Sequence, residues 1–560
     1  MVTVLHAAPA AFNISHVRHV LGATIEMLWR ISTSQTWWKG RLTGSALATA
    51  GAALALGSAG RPRHRPAIES ALEWLANTQN ADGGWGDTYN SPSNVPATIA
   101  AWAAISSWEH ADGKIVTAGR RAESFLSDQC GGLESAHIAG GLAQAAGGSP
   151  IAAATAAAMC AATGMINPRE LKRHPDQRLA YRLLKNRLIH RANPVGRIFD
   201  GLSTRRGIAA LEQYSPAKCP VSTTCLTMIA LAAANRLDHP AMDRCADFLA
   251  GVAHDEGGLS STPNIAVRTT AQVVAALGEG GGLCPPSDRC NGIAKWLLNR
   301  QSDGGWGACD LPGAAINCYD TANVLLALHA LRAFDDEAVA CARRGVRFLL
   351  SATNADGGVG LVAGEASAAD VTATCLLAME QWRPVLGRPE VQIAQACARM
   401  RRFLKTSQHN DGSWASLLAG NQLEPNTENR VWTTATVLAS MTQITAVAGD
   451  CDLPAAAGFL IEAQWPGGAW GPARGVAPSL DETAVAVGAL AGVSGIKGCR
   501  DAAMRGAQWL TETFSSGAPA PIFRDTDGTW QCDVNNPLVF MTFAMGRLCR
   551  TWAGQIAAEG

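Results

Sequence analysis

Four carboxyl side chains stand at one recurring place. Asp320 directly precedes Thr321-Ala322, Asp370 stands two residues before Thr372-Ala373, and Asp481-Glu482 runs into Thr483-Ala484. Each Thr-Ala pair opens an Ala/Leu-rich stretch of helical character, so the acids fall at helix starts. Thr in a first turn can cap the helix, and an acid there suits its dipole. Carboxylates gathered around one cavity raise at least one pKa, so that a proton is retained near neutrality. A retained carboxylic proton is the chemistry of a general acid. Arg268-Thr269-Thr270-Ala271 and Trp432-Thr433-Thr434-Ala435 repeat the same start without an acid.

Other reactive groups carry less. Asp335-Asp336-Glu337 lacks the third spaced acid of a metal-binding cluster and reads as helix capping. The 16 cysteines include no C-x-x-C pair and sit in apolar runs, as at Cys225, Cys341 and Cys375. They are expected to be reduced core residues, with no metal site. The basic run Arg169, Lys172, Arg173, His174 and the pair Arg205-Arg206 read as solvated faces. Lys plus Arg number 46 against 46 Asp plus Glu. That balance gives no sign of a nucleic-acid partner, which needs a basic surface, and none is expected. No signal peptide is evident, and Leu42 to Gly60 is too rich in Ala and Gly for a confident membrane span, so it reads as a packed helix.

The elements that must position the acids follow a repeat. An aromatic-Leu pair ends one helix, a Gly-rich turn with an acid and often Trp follows, and a second helix begins at Thr-Ala. The turns are Asp82-Gly-Gly-Trp85, Glu256-Gly-Gly, Asp303-Gly-Gly-Trp306, Asp356-Gly-Gly-Val359, Asp411-Gly-Ser-Trp414, Gly467-Gly-Ala-Trp470 and Asp527-Gly-Thr-Trp530. Asp303 to Asp356 is 53 residues and Asp356 to Asp411 is 55. A period of about 50 residues with two helices per unit predicts stacked α/α layers closing into rings. The fold class expected is therefore all-α, with two α/α toroids. A helical segment at 1–60 packs on the second toroid, Arg61 to Pro66 is a linker, a smaller barrel spans 67–275, and a second barrel spans 276–560. In a closed ring the Thr-Ala starts lie at one end, where the side chains ahead of them converge. The turn Trp residues cover neighbouring units, and Gln301, Gln408 and Gln464 bond helix ends.

This repeat, seen in full as Gly292-x-x-x-Trp296-Leu…Gln301-Ser-Asp-Gly-Gly-Trp306, resembles that of the squalene–hopene and oxidosqualene cyclase family, as does Ala369-Asp370-Val371-Thr372-Ala373. The resemblance covers most of the chain and implies an isomerase that protonates and cyclises a linear isoprenoid, squalene-like or another polyprenyl chain, in an apolar cavity between α/α barrels. It implies no cofactor, with Mg²⁺ needed only for a diphosphate substrate. It also implies a cytoplasmic protein with possible peripheral contact to the inner membrane. The family's donor is the middle Asp of Asp-x-Asp-Asp-Thr-Ala, and here Asn317-Cys318-Tyr319-Asp320-Thr321-Ala322 puts Tyr319 in its place. A phenol of pKa about 10 cannot protonate an alkene. The His that follows the Ala of Asp-Val-Thr-Ala in hopene-forming members is Thr374 here. Asp481 has the register of the missing donor and is the expected acid, with Asp370, Asp320 and Glu482 around it. Tyr319, Trp432, Thr374, Trp382 and Phe540 are expected cavity walls. Two alternatives stay open: an isoprenoid-binding scaffold that lost the acid, and a prenyltransferase β-like subunit, for which Asn317-Cys318 is the nearest approach to a zinc motif.

Overall fold

The computed structural model describes residues 13–89, 91–109, 112–145, 150–167, 216, 220–387, 390–415, 419–421, 428–445, 450–513, 521–524, 530–531 and 536–559. The basic run from Arg169, the Arg205-Arg206 pair and the Asp527 turn lie outside them. The chain divides into two compact units, one of residues 1–40, 265–522 and 533–560, the other of 41–264 and 523–532.

In chain order the described helices are α1 (Ile14–Arg30), α2 (Ala46–Ala59), α3 (Arg65–Thr78), α4 (Val95–Ser106), α5 (Gly113–Cys130), α6 (Ser135–Ala145), α7 (Pro150–Ala162), α8 (Val221–Ala233) and α9 (Pro240–Gly251). There follow α10 (Ala266–Gly280), α11 (Asp288–Leu298), α12 (Cys318–Ala330), α13 (Asp336–Ala352), α14 (Ala369–Leu386), α15 (Glu390–Ser407), α16 (Arg430–Met441), α17 (Leu453–Ala463), α18 (Leu480–Ala491), α19 (Cys499–Thr513) and α20 (Asn536–Glu559).

In the 41–264 unit, α2, α4, α7 and α8 pack in sequence and α8 closes back on α2. A helix apolar all round must be buried, and α2 is covered on nearly every residue by these neighbours. That is why α2, expected with the N-terminal segment, instead belongs to this unit. The expected linker at 61–66 is a 3₁₀ turn running into α3, held by Arg61 to Asp243 at 3.1 Å and Arg63 to Asp247 at 3.0 Å. The units divide at 40/41 and 264/265 rather than at 60–67 and 275/276. Among the described residues no helix is long and apolar enough to cross a membrane.

The other unit holds a complete ring. α10, α12, α14, α16, α18 and α20 pack each on the next, and α20 returns to α10. Amphipathic helices α11, α13, α15, α17 and α19 lie outside them, and α1 covers the seam of α20 and α10. The N-terminal segment supplies the turn as well as the outer helix for α10. Trp38 donates its indole N–H to Leu28 O at 2.6 Å and its backbone N–H to Thr270 Oγ1 at 3.0 Å.

The same latch recurs. Backbone N–H groups of Trp306, Val359, Trp414 and Trp470 donate to Oγ1 of Thr321, Thr372, Thr434 and Thr483 at 2.9–3.1 Å. The Thr of Thr-Ala is therefore not the helix cap expected from sequence. Asn317, Asn429 and Ser479 cap α12, α16 and α18 four or five residues earlier, and the Thr hydroxyl inside the first turn receives the Gly-rich turn. Gln301, Gln408 and Gln464 each donate to a glycine carbonyl of the turn and to the next outer helix or its approach. The turn needs glycine at Gly468, where φ is 95° and a Cβ would stand 2.6 Å from Arg505 O. Replacing Thr483 by Val leaves the buried Trp470 N–H without its acceptor, a loss of about 1–3 kcal/mol. Urea unfolding should show it, with Thr511→Val, whose hydroxyl bonds only its own helix, costing less.

Candidate active site

The latch gives α10, α12, α14, α16 and α18 a common origin. Two residues before the latch Thr stand Arg268, Tyr319, Asp370, Trp432 and Asp481, and Phe540 holds the same place before Thr542 on α20. Four residues further on, the same helix face carries Gln272, Asn323, Thr374, Thr436 and Val485. All five line a cavity of about 370 Å³ inside the ring, together with Tyr319, Trp432 and Phe540. Of the expected walls, Tyr319, Trp432, Thr374 and Phe540 thus meet in one cavity. The Trp432 and Phe540 rings touch edge to face, centroids 5.1 Å apart.

Trp382 does not join them. Its neighbour Gln381 takes the lumen position, and a shift of one residue turns a side chain by about 100°. Trp382 is instead sealed in the α12–α14 seam, donating its indole N–H to Leu325 O at 2.7 Å and meeting His329 and Phe334 edge-on.

The acids separate by the same rotation. Asp320 and Glu482, one residue before the latch Thr, point to the preceding inner helix. Fully buried Asp320 accepts from Arg268 Nε at 2.7 Å and Nη2 at 2.9 Å, and from Asn317 Nδ2 at 2.5 Å. It is a neutralised carboxylate that cross-links α10 and α12, in contrast with its expected place beside the donor. Glu482 Oε1 accepts from Asn429 Nδ2 at 2.8 Å, tying α18 to the cap of α16. Asp370 and Asp481 share the register of the lumen-facing rings and both are buried, but neither is among the residues that line the cavity. Burial pushes the Asp370 carboxyl above the ordinary range, opposed in part by the Val371 N–H that donates to its Oδ1 at 3.0 Å. Tyr319 is pushed up by burial as well, and it feels Arg268, Asp320 and Asp370 together. The Arg268 guanidinium lies 5.7 Å from the Tyr319 ring centroid.

Arg268, Gln272 and Asn323 were not singled out from the sequence. The signal was available in principle, since each keeps a fixed distance from a Thr-Ala pair. The cavity is also less apolar than expected, because amides and hydroxyls share its walls with Leu326, Leu377 and the aromatics. Asp335 caps α13, accepting from the Ala338 N–H at 2.9 Å. The described cysteines are free thiols, most of them buried. Among the described residues no group of three His, Cys, Asp or Glu side chains is placed to hold a metal ion.

Known proteins share this architecture. The squalene–hopene cyclase C-terminal domain matches residues 3–128, and the prenyltransferase α/α toroid domain matches 218–311 and 322–516. The ent-copalyl diphosphate synthase from Streptomyces platensis is 17% identical with a TM-score of 0.58, over 96% of this chain and 99% of that one. Abietadiene synthase from Abies grandis is 15% identical with a TM-score of 0.47, over 71% of this chain and 49% of that one. The type II terpene cyclase MstE from Scytonema is 16% identical with a TM-score of 0.39, over 51% and 88%. No curated protein matches the chain in sequence. At such identities the first likeness establishes a common fold, while the toroid domain spans just over half of the residues. With its closed helical ring and latched glycine turns, the chain belongs to the squalene–hopene cyclase-like family.

Proposed function

We propose that the chain cyclises a linear isoprenoid by protonation, the product being an isomer of the substrate when the reaction ends in proton loss. The observation that carries this reading is a buried carboxyl at the lumen register, Asp370, with no ion-pair partner among the described residues and a pKa that burial raises. Burial favours the protonated form of such a group, the form that can donate. The proton leaves one Asp370 oxygen for an alkene carbon, and the carboxylate left behind is held by the Val371 N–H. A tertiary cation forms on the chain, and successive alkenes attack it. Trp432 and Phe540 offer π faces to the migrating charge, and the ring of helices limits water.

The sequence favoured Asp481 as donor. Asp481 keeps the same register two inner helices on, so it is assigned the supporting place and Asp370 the transfer. Incubation with squalene, oxidosqualene and geranylgeranyl diphosphate, with products read by gas chromatography–mass spectrometry, tests both. Asp481→Asn should lower turnover about tenfold or less and keep the product. Complete loss in Asp481→Asn with full activity in Asp370→Asn would exchange the two roles.

A binding scaffold is the second reading, favoured by Tyr319 at the family's donor position. Retention of a polyprenyl lipid without product would support it. The prenyltransferase reading has less to stand on: Asn317 spends its amide capping α12 and bonding Asp320, and Cys318 is fully buried. Collection of an apolar substrate at a membrane surface belongs to the same proposal.

A further inference from the structure

The lumen offers more hydrogen bonding than a hydrocarbon can use. Gln272, Asn323, Gln381 and Gln443 bring carboxamides to it, and Thr436 and Ser440 add hydroxyls. Gln272 is the informative one. Its carboxamide stands beside the Tyr319 hydroxyl, yet Gln272 Oε1 is buried and receives no hydrogen bond from the described residues. A purely hydrocarbon ligand would bury that acceptor dry, which is unfavourable. If the amide is turned over, its NH₂ becomes the unmatched end. A hydroxyl, both donor and acceptor, answers either orientation.

Charge narrows the ligand further. Among the described lining residues Arg550 is the one permanent cation, and its Nη1 lies 3.0 Å from Glu279, which lines the same cavity. Burial pushes His329 down, toward its neutral form. Arg268 is engaged by Asp320. Among the described residues, a diphosphate entering this cavity would meet no uncommitted cation lining it to offset its charge.

We infer that this cavity takes an isoprenoid bearing a neutral hydroxyl, an alcohol or phenol, held by Gln272, in preference to a bare hydrocarbon or a diphosphate. The inference rests on reading the cavity as an isoprenoid site.

Its test is equilibrium dialysis of the detergent-solubilised protein against three ligands. They are geranylgeraniol, the hydrocarbon with methyl in place of its hydroxymethyl group, and geranylgeranyl diphosphate. The alcohol should bind at least about tenfold tighter than the hydrocarbon, about 1.4 kcal/mol, and tighter than the diphosphate. Gln272→Leu should erase the alcohol's advantage and leave hydrocarbon affinity equal or improved. Equal affinities in the unaltered protein, or tightest binding of the diphosphate, would overturn the inference even if the variant failed to fold. Alcohol preference without any cyclic product would defeat the cyclisation reading and leave this one standing. Asp370-dependent cyclisation of squalene with no alcohol preference would do the reverse.

Discussion

Asp370→Asn should reduce cyclic product by about 10³-fold or more, within the range spanned by loss of a positioned general acid, while the protein stays folded. The amide keeps the shape of the carboxyl and can still accept the Val371 N–H, so the expected loss is the proton alone. The variant should also be more stable than the parent near neutral pH. Burial raises the folded-state pKa of Asp370, so the folded chain holds a proton that the unfolded chain releases. Asp370 therefore favours folding least once the pH has risen through that raised value, and its contribution is fully recovered below the ordinary carboxylate pKa. Asn does not titrate and escapes this cost. Activity should fall over the same rise in pH, since only the protonated form can donate. Product yield at several pH values, paired with urea midpoints for parent and variant, reads both effects. A variant that is more stable but fully active would remove Asp370 from the chemistry.

Asp320→Ala should be the most damaging single change to stability at this end of the ring, at about 3–5 kcal/mol. Asp320 is fully buried, and its Arg268 partner is mostly so. Removing the carboxylate takes from a mostly buried guanidinium its bidentate partner and strips Asn317 Nδ2 of its acceptor. The α10–α12 contact then loses its only described salt bridge. Asp320→Leu combined with Arg268→Met should recover much of the loss, because replacing both members of a buried pair also removes the guanidinium that lost its carboxylate. Urea unfolding of the two single variants and the double variant forms a thermodynamic cycle. A large coupling is expected, and additive losses would show that the pair does not act as a unit. Product formation by the double variant adds a second readout: if Asp320 only holds the helices, activity returns with stability.

How legible the protein is in sequence depends on the range over which each residue acts. The Gly-rich turn, its Trp or Val backbone N–H, the Gln that braces it and the Thr that receives it lie within one period or the next. Gly468 must take positive φ wherever the rest of the chain goes. Those local requirements force a repeat, and a repeat with two helices per period forces α/α layers, so the all-α toroid is legible in the residues themselves. Trp382 shows where that reading stops. An aromatic in an apolar run is equally compatible with lumen and seam, and only the rotation of α14 against α12 puts it in the seam.

Period and motif suffice for the fold class, the family and the small set of carboxyls eligible for acid chemistry. Which of those carboxyls can serve is set by the closed ring. Asp320 and Asp370 differ by one residue in their distance from the latch Thr, and one residue is about 100° of helix rotation. In the ring that angle separates a carboxylate paired with Arg268 from a buried carboxyl whose pKa burial raises. Ring closure joins helices more than 250 residues apart, α10 to α20. No pattern within a single repeat can carry that information.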